Sequence, residues 1–209
     1  MSDLASLLTL AAADTGDPAA DATTSAIADA ALHEFELFGI ARSTMEQIAR
    51  RAKVGRVTLY RRFPGRDALV EAVVLRELQR FLTDLDSVTQ QHEAAEDKLV
   101  NGFVFTLEAI RSHRLLQRLL ESEPETLLPY LTVHGAPFIG GARDFLAARL
   151  AVERPDNRSP EEFVVVADVV VRLLLSFLLT PQTPLDLDDP DVARAFALRY
   201  LQPLVNGPS

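Results

Sequence analysis

The chain of 209 residues contains no cysteine, which excludes disulfides and thiolate metal sites and fits a reducing cytoplasm. Histidine is scarce: His33, His92, His113 and His134 are scattered with no pair at ligand spacing, so no metal is expected and each reads as a surface or packing residue. There is no glycine-rich phosphate loop and no nucleophile elbow, and Gly140-Gly141 stands alone. Neither an enzyme nor a cofactor is expected from such a sequence. The N-terminus opens with Asp3 rather than a basic cluster, and Leu4 to Ala13 is short and alanine-rich, so no secretory signal is expected. Residues 1–22, rich in Ala, Asp and Thr, read as a mobile tail.

Positive charge is in deficit overall, with 21 Lys and Arg against 30 Asp and Glu and a net charge of −9. The deficit is uneven. Residues 40–80 hold ten Lys/Arg against four acids, a local +6, while the rest holds eleven against twenty-six, a local −15. A basic head on an acidic body places the footprint for a polyanion at one end and favours end-on docking.

The basic stretch contains TMEQIARRAKVGRVTLYRRFPGRDAL, residues 44–69. Met45, Ile48, Ala49 and Ala52 recur at i, i+3, i+4 and i+7, predicting a helix with one buried face that opens at Thr44. Ser43 is its expected cap. Lys53-Val54-Gly55 is a three-residue turn containing glycine, Arg56 to Phe63 a short second helix, and Pro64-Gly65 its stop. On that second helix Leu59 and Phe63 share one side and anchor it, while Val57, Tyr60 and Arg61 project from the other. This is a helix-turn-helix facing DNA. The expected duplex contacts are Thr44, Arg56, Val57, Thr58, Tyr60, Arg61, Arg62 and Arg66. Arginine reads guanine O6 and N7 with two hydrogen bonds, whereas tyrosine and threonine hydroxyls suit phosphates, and Arg61 is the candidate base reader. Thr44 and Arg66 stand at helix starts, where amide hydrogens and the dipole favour a phosphate. Arg42, Arg50 and Arg51 read as solvated or as general backbone contacts.

The run from Val54 to Leu69 resembles the recognition segment of the tetracycline-repressor (TetR) family of bacterial transcription regulators. Thr58-Leu59-Tyr60, Phe63 and Arg66-Asp67-Ala68-Leu69 match it, Ile48-Ala49 falls on the family's isoleucine-alanine pair, and Phe35 and Phe38-Gly39 match the end of its first helix. Gly55 stands where the family often has a capping serine, and Val57 where it often has glycine. The resemblance implies a regulator, most commonly a repressor, with an effector pocket in the body and a dimer interface formed by the last two long helices.

A first helix is expected from about Thr24 to Phe38, with Ile27, Ala31, Phe35 and Phe38 along one stripe; it completes a three-helix head. A fourth opens near Arg66, with a stripe including Leu69, Val73, Leu78, Phe81 and Leu85, and is long enough to link head and body. Glu93 to Arg111 reads as helix five, and Leu115 to Ser122 as a short leucine-rich one. Pro124, Pro129, Gly135, Pro137, Gly140 and Gly141 predict a bent or interrupted region over residues 124–141, followed by helix from Phe145 to Val152. Phe163 to Thr180 has, before its terminal threonine, only Asp168, Arg172 and Ser176 as polar side chains. The aspartate and arginine near its centre argue against a membrane span, so protein must cover nearly every side of it. The last helix opens at Asp189-Pro190.

The expected fold is therefore all-α: a tail over residues 1–22, a helix-turn-helix DNA-binding head over 23–69, and a helical effector-binding and dimerisation body over 70–209. The expected partners are a double-stranded, near-palindromic operator, a second copy joined through residues 163–205 with Ala197 at the seam, and an apolar or amphipathic small molecule. Phe103, Leu107, Ile110, Leu119, Phe138, Phe145 and Phe177, with Arg172, are the candidate pocket. Arg172 also has a plainer role, as an i, i+4 ion pair with Asp168. The alternative for the whole chain is a helical module whose head binds protein; steeply salt-dependent DNA binding separates the two.

Overall fold

The computed structural model describes residues 22–153 and 159–206. Every regular element among them is helical. The head comprises α1 (Ala22–Phe38), α2 (Met45–Arg51) and α3 (Arg56–Arg62), and α4 (Arg66–Gln90) leaves it. The body follows as α5 (Ala95–Ser112), α6 (Arg114–Ser122), α7 (Pro124–Leu131), α8 (Ala136–Glu153), α9 (Pro160–Leu179) and α10 (Pro190–Phe196). A π-helical stretch, Ala197–Leu201, then runs into α11 (Gln202–Asn206). The tail expected over residues 1–22 lies outside the described residues apart from Ala22, which already belongs to α1.

Two apolar cores organise the chain. In the head, Ile27 and Phe35 of α1, Ile48 of α2, Leu59 of α3 and Leu69 and Val73 of α4 are removed from water. The same cluster takes in Leu115 and Leu119, so α6 is packed into the head. Leu119, expected in the body's pocket, is thereby relocated. On α4 the buried residues are Leu69, Val73 and Leu82. Leu78, Phe81 and Leu85 stay half-buried, because the helix is passing from one core to the other. Phe81 stacks on Phe105 of α5 instead, with ring centroids 5.9 Å apart.

The body's core combines Phe103 and Leu107 of α5 with Phe163, Ala167 and Val170 of α9 and Ala193, Ala197, Leu201 and Val205 of the last helices. Ala197 is 0% exposed within one subunit, so it is not at a dimer seam: its small side chain lets the last helix approach α5 in the same chain. The apolar residues left exposed on this side are Val164, Val165 and Val169 of α9 and Leu198, Tyr200 and Leu204 beyond α10.

The helix break predicted over residues 124–141 is real but shorter. α7 stops at Leu131, the His134 N–H reaches back to the Pro129 carbonyl at 2.8 Å, and helix resumes at Ala136. Pro137 then lies in the first turn of α8, where a missing N–H costs nothing, and Gly140 and Gly141 continue the helix. No helix among the described residues is long and apolar enough to cross a membrane.

Candidate nucleic-acid interface

Thr44 caps α2. Its hydroxyl accepts from the Gln47 N–H at 3.2 Å, and the Gln47 side-chain oxygen accepts from the Thr44 N–H at 2.9 Å, a reciprocal pairing that satisfies two otherwise orphaned donors. Ser43, the expected cap, stands one residue too early. It is buried, and its hydroxyl donates to the Gly39 carbonyl at 2.7 Å. At the other end of α2, Val54 N–H bonds to the Ala49 carbonyl at 3.0 Å and Lys53 N–H to that of Arg50 at 3.2 Å. This is a Schellman closure, which needs one left-handed residue. That residue is Lys53, φ 56°. Gly55 has φ −71° and caps α3 without a side-chain hydrogen bond.

Leu59 and Phe63 are buried, at 0% and 6% exposure, and pin α3 to the head. The opposite side is presented to solvent: Val57 is 83% exposed, and Arg56, Tyr60, Arg61 and Arg62 are exposed with it. Thr58 and Arg66 are half-buried, and Arg66 Nε is a buried donor without a hydrogen-bond partner. Thr44 is exposed at the start of α2, its hydroxyl also donating to the Gln47 side chain at 2.7 Å. Of the eight expected contacts, five therefore share the outer side of one helix. Arg56 among them is oriented by two neighbours. Arg56 Nη1 lies 3.0 Å from Glu46 Oε1 of α2, and its guanidinium sits 5.6 Å from the Tyr60 ring centroid, a distance at which cation and ring attract.

Two acidic residues were not singled out by sequence. Glu46 holds Arg56 at the head of α3. Glu34, on the buried side of α1, meets Arg51 Nε at 2.5 Å and is only 4% exposed. Arg51, read from sequence as solvated or as a general backbone contact, is tied to α1 through its Nε while its side chain stays 38% exposed. The available signal was Glu34 standing next to Phe35 on the buried side of α1, where an acid requires a partner.

A family model described as "Bacterial regulatory proteins, tetR family" matches residues 22–73, and one described as "Bacterial Tetracyclin repressor, C-terminal domain" matches residues 94–198. The chain belongs to the TetR family. As a member it is a DNA-binding transcription regulator, and the family's regulators dimerise and are generally not enzymes. Among solved structures it is similar to the TetR family repressor AlkX from Dietzia sp. strain DQ12-45-1b, implicated in biodegradation of n-alkanes, at 25% identity and TM-score 0.60 over 86% of this chain and 97% of that one. It is also similar to a TetR-like transcriptional regulator from Rhodococcus sp. RHA1, at 19% identity and TM-score 0.54 over 88% and 93% of the two chains. A third is the fatty acid degradation regulator FadR from Bacillus halodurans, at 15% identity and TM-score 0.52 over 87% and 93%. No curated protein matches.

In this TetR regulator the residues expected to line an effector pocket are not all gathered together. Phe103 and Phe177 meet edge to face at 6.5 Å, and Phe196 completes the group, 5.8 Å from Phe103 and 5.7 Å from Phe177. Leu107 is buried in the same core, and Ile110 is half-buried farther along α5. Phe138 and Phe145 lie half-buried on α8, where Phe145 carries the Arg149 guanidinium over its ring at 5.1 Å. Arg172 is exposed and bonded to Asp168 at 2.6 Å, and that carboxylate raises the arginine's pKa further. A cleft of about 310 Å³ lies elsewhere, lined by Val104, Glu108, Arg111, Leu187 and Asp188 among others.

Proposed function

We propose that this regulator represses transcription by holding a near-palindromic operator with two copies of α3, and that an apolar or amphipathic small molecule in the body releases it. The observation that supports the reading most directly is α3 itself: Leu59 pins it while Arg56, Val57, Tyr60, Arg61 and Arg62 face outward. Arg61 is assigned to a base edge and Val57 to apolar contact with a thymine methyl. Arg56, Thr44, Thr58, Tyr60, Arg62 and Arg66 are assigned to positioning on the backbone. We divide the chain into a head over residues 23–69 and a body over 70–209, with dimerisation through residues 163–205. The exposed Val164, Val165, Val169, Leu198, Tyr200 and Leu204 supply the apolar surface a partner would cover. For the effector, Phe103, Leu107, Ile110, Phe138, Phe145 and Phe177 remain the candidate wall, and the n-alkane association of AlkX favours an apolar ligand. The test compares a selected duplex with a random one at matched salt. Tighter, steeply salt-dependent binding of the selected duplex is expected; equal affinity for both overturns sequence-specific recognition.

A further inference from the structure

Glu123 belongs to the body but binds the head. It stands between α6 and α7, is 6% exposed, and both its carboxylate oxygens accept from the Ala41 N–H, at 3.2 and 3.1 Å. Ala41 lies between α1 and α2, 82 residues away in sequence. The same carboxylate fills the space beside Gly39 where a side chain would stand. Gly39 has φ +83°, and a Cβ there would overlap Glu123 Oε1 and lie 2.8 Å from its Cδ. The Gly39 carbonyl in turn accepts the Ser43 hydroxyl at 2.7 Å, and Ser43 adjoins Thr44, the cap of α2. A single carboxylate from the body thus braces the loop that sets where the helix-turn-helix begins.

Its surroundings make the contact sensitive to movement of the body. Leu115 and Leu119 of α6 are in the head's core, and Leu127 of α7 packs against it. α7 then ends at the break over residues 132–135. A buried carboxylate is costly when its oxygens lack donors, and the donor here comes from the head. Shifting the α6–α7 corner away from α1 would strand Glu123 and free Ala41 together.

We propose that Glu123 is a positioning residue for operator binding: it holds residues 39–43, and through them α2 and α3, in the arrangement that DNA recognition requires. The proposal rests on the reading of α3 as the operator-reading helix. It is tested in the full chain by comparing wild type, Glu123→Ala and Glu123→Gln. The readouts are amide hydrogen exchange over residues 39–44 and affinity for a selected and a random duplex at matched salt. Glu123→Ala should speed exchange at Ala41 and weaken the selected duplex about tenfold or more. It should leave the random duplex nearly unchanged, because that binding rests on exposed charge. Glu123→Gln keeps an oxygen acceptor and should recover most of the loss, which general destabilisation would not do selectively. Faster exchange at Ala41 with undiminished affinity for the selected duplex overturns the proposal, and so does an equal loss on both duplexes. If Glu123→Ala fails to fold, Ser43→Ala loosens the same loop from its other side and is judged by the same two outcomes. A wild type that does not discriminate the duplexes overturns the reading of α3 instead.

Discussion

Gly55 leaves the first turn of α3 without a side-chain acceptor. Its backbone, φ −71° and ψ 151°, suits any residue, and nothing lies within 4 Å of where a Cβ would go. Gly55→Ser should therefore supply a cap and stabilise the head by a few tenths of a kcal/mol; urea unfolding checks it, and a loss of stability would refute it. Arg51 is the opposite case, a side chain whose removal leaves a debt in the fold. Arg51→Ala strands the Glu34 carboxylate at 4% exposure and should cost about 1–3 kcal/mol. The lower end is the expectation, since Arg51's own side chain is 38% exposed and water screens it. Arg50→Ala, on the exposed side of the same helix, should stay within about 0.5 kcal/mol in the same denaturation. On DNA, Arg61→Ala should cost about 1–3 kcal/mol and relax preference at one base position, whereas Arg66→Ala should weaken all sequences alike and shallow the salt slope. Competition titrations over a set of single-base operator variants separate these outcomes.

Among elements, the junction of α4 with α6 carries an acid-sensitive contact. The His113 imidazole caps α6, its Nδ1 accepting from the Leu116 N–H at 3.2 Å, which leaves Nε2 to hold a proton 3.7 Å from Glu77 Oε2 of α4. At that distance the pair is a polar contact rather than a full hydrogen bond, yet His113 is the largest influence holding the Glu77 carboxyl below its ordinary pKa. Arg80 and Arg76 lower it further, and burial acts the other way. A carboxyl with a depressed folded pKa contributes stability that is complete above its unfolded value and lost as pH falls towards its folded value. Stability should thus decline more steeply below about pH 5 in the wild type than in Glu77→Gln; unfolding midpoints across that range decide, and parallel declines would refute it. The elements themselves were legible where one signal dominated. Ile48, Ala49, Leu59 and Phe63 show the buried side of a helix pair in their spacing alone, and the surrounding arginines mark the opposite side. Leu119 and Ala197 were misplaced because an apolar residue at helical spacing reports that it is buried, not against what. Glu34 and Glu123 were missed for a related reason: an acid's partner can lie 17 or 82 residues away, and no local pattern records it.

At the scale of the molecule, the buried Ala197 changes how association should be tested. Ala197→Arg would force a cation into the core shared with α5 and should disrupt the body rather than separate two intact subunits. Val165 is 63% exposed on α9, so Val165→Arg should yield a monomer of unchanged helical content; a variant dimer by sedimentation at micromolar concentration would place the seam elsewhere. Dimerisation matters because two-fold symmetry presents two α3 helices to successive turns of one duplex face, with half-site centres roughly 34–36 Å apart. That spacing can be set through two routes visible in one subunit. α4 begins in the head's core at Leu69 and Val73 and reaches the body, and α6 enters the same core through Leu115 and Leu119. An effector that displaces the Phe103–Phe177–Phe196 group would act on α5, which carries Phe103 and is packed against both. Since α4 and α6 converge on one core, a small change in the body should become a change in head separation, and a shift of a few ångströms would cost one half-site its contacts. Coupling of this kind is reciprocal, so operator must weaken the effector by the factor by which the effector weakens operator. Titrating an n-alkane, the probe for the proposed apolar ligand, with and without bound operator measures it directly. Equal effector affinity in the two titrations would leave DNA binding intact and rule out effector-gated release.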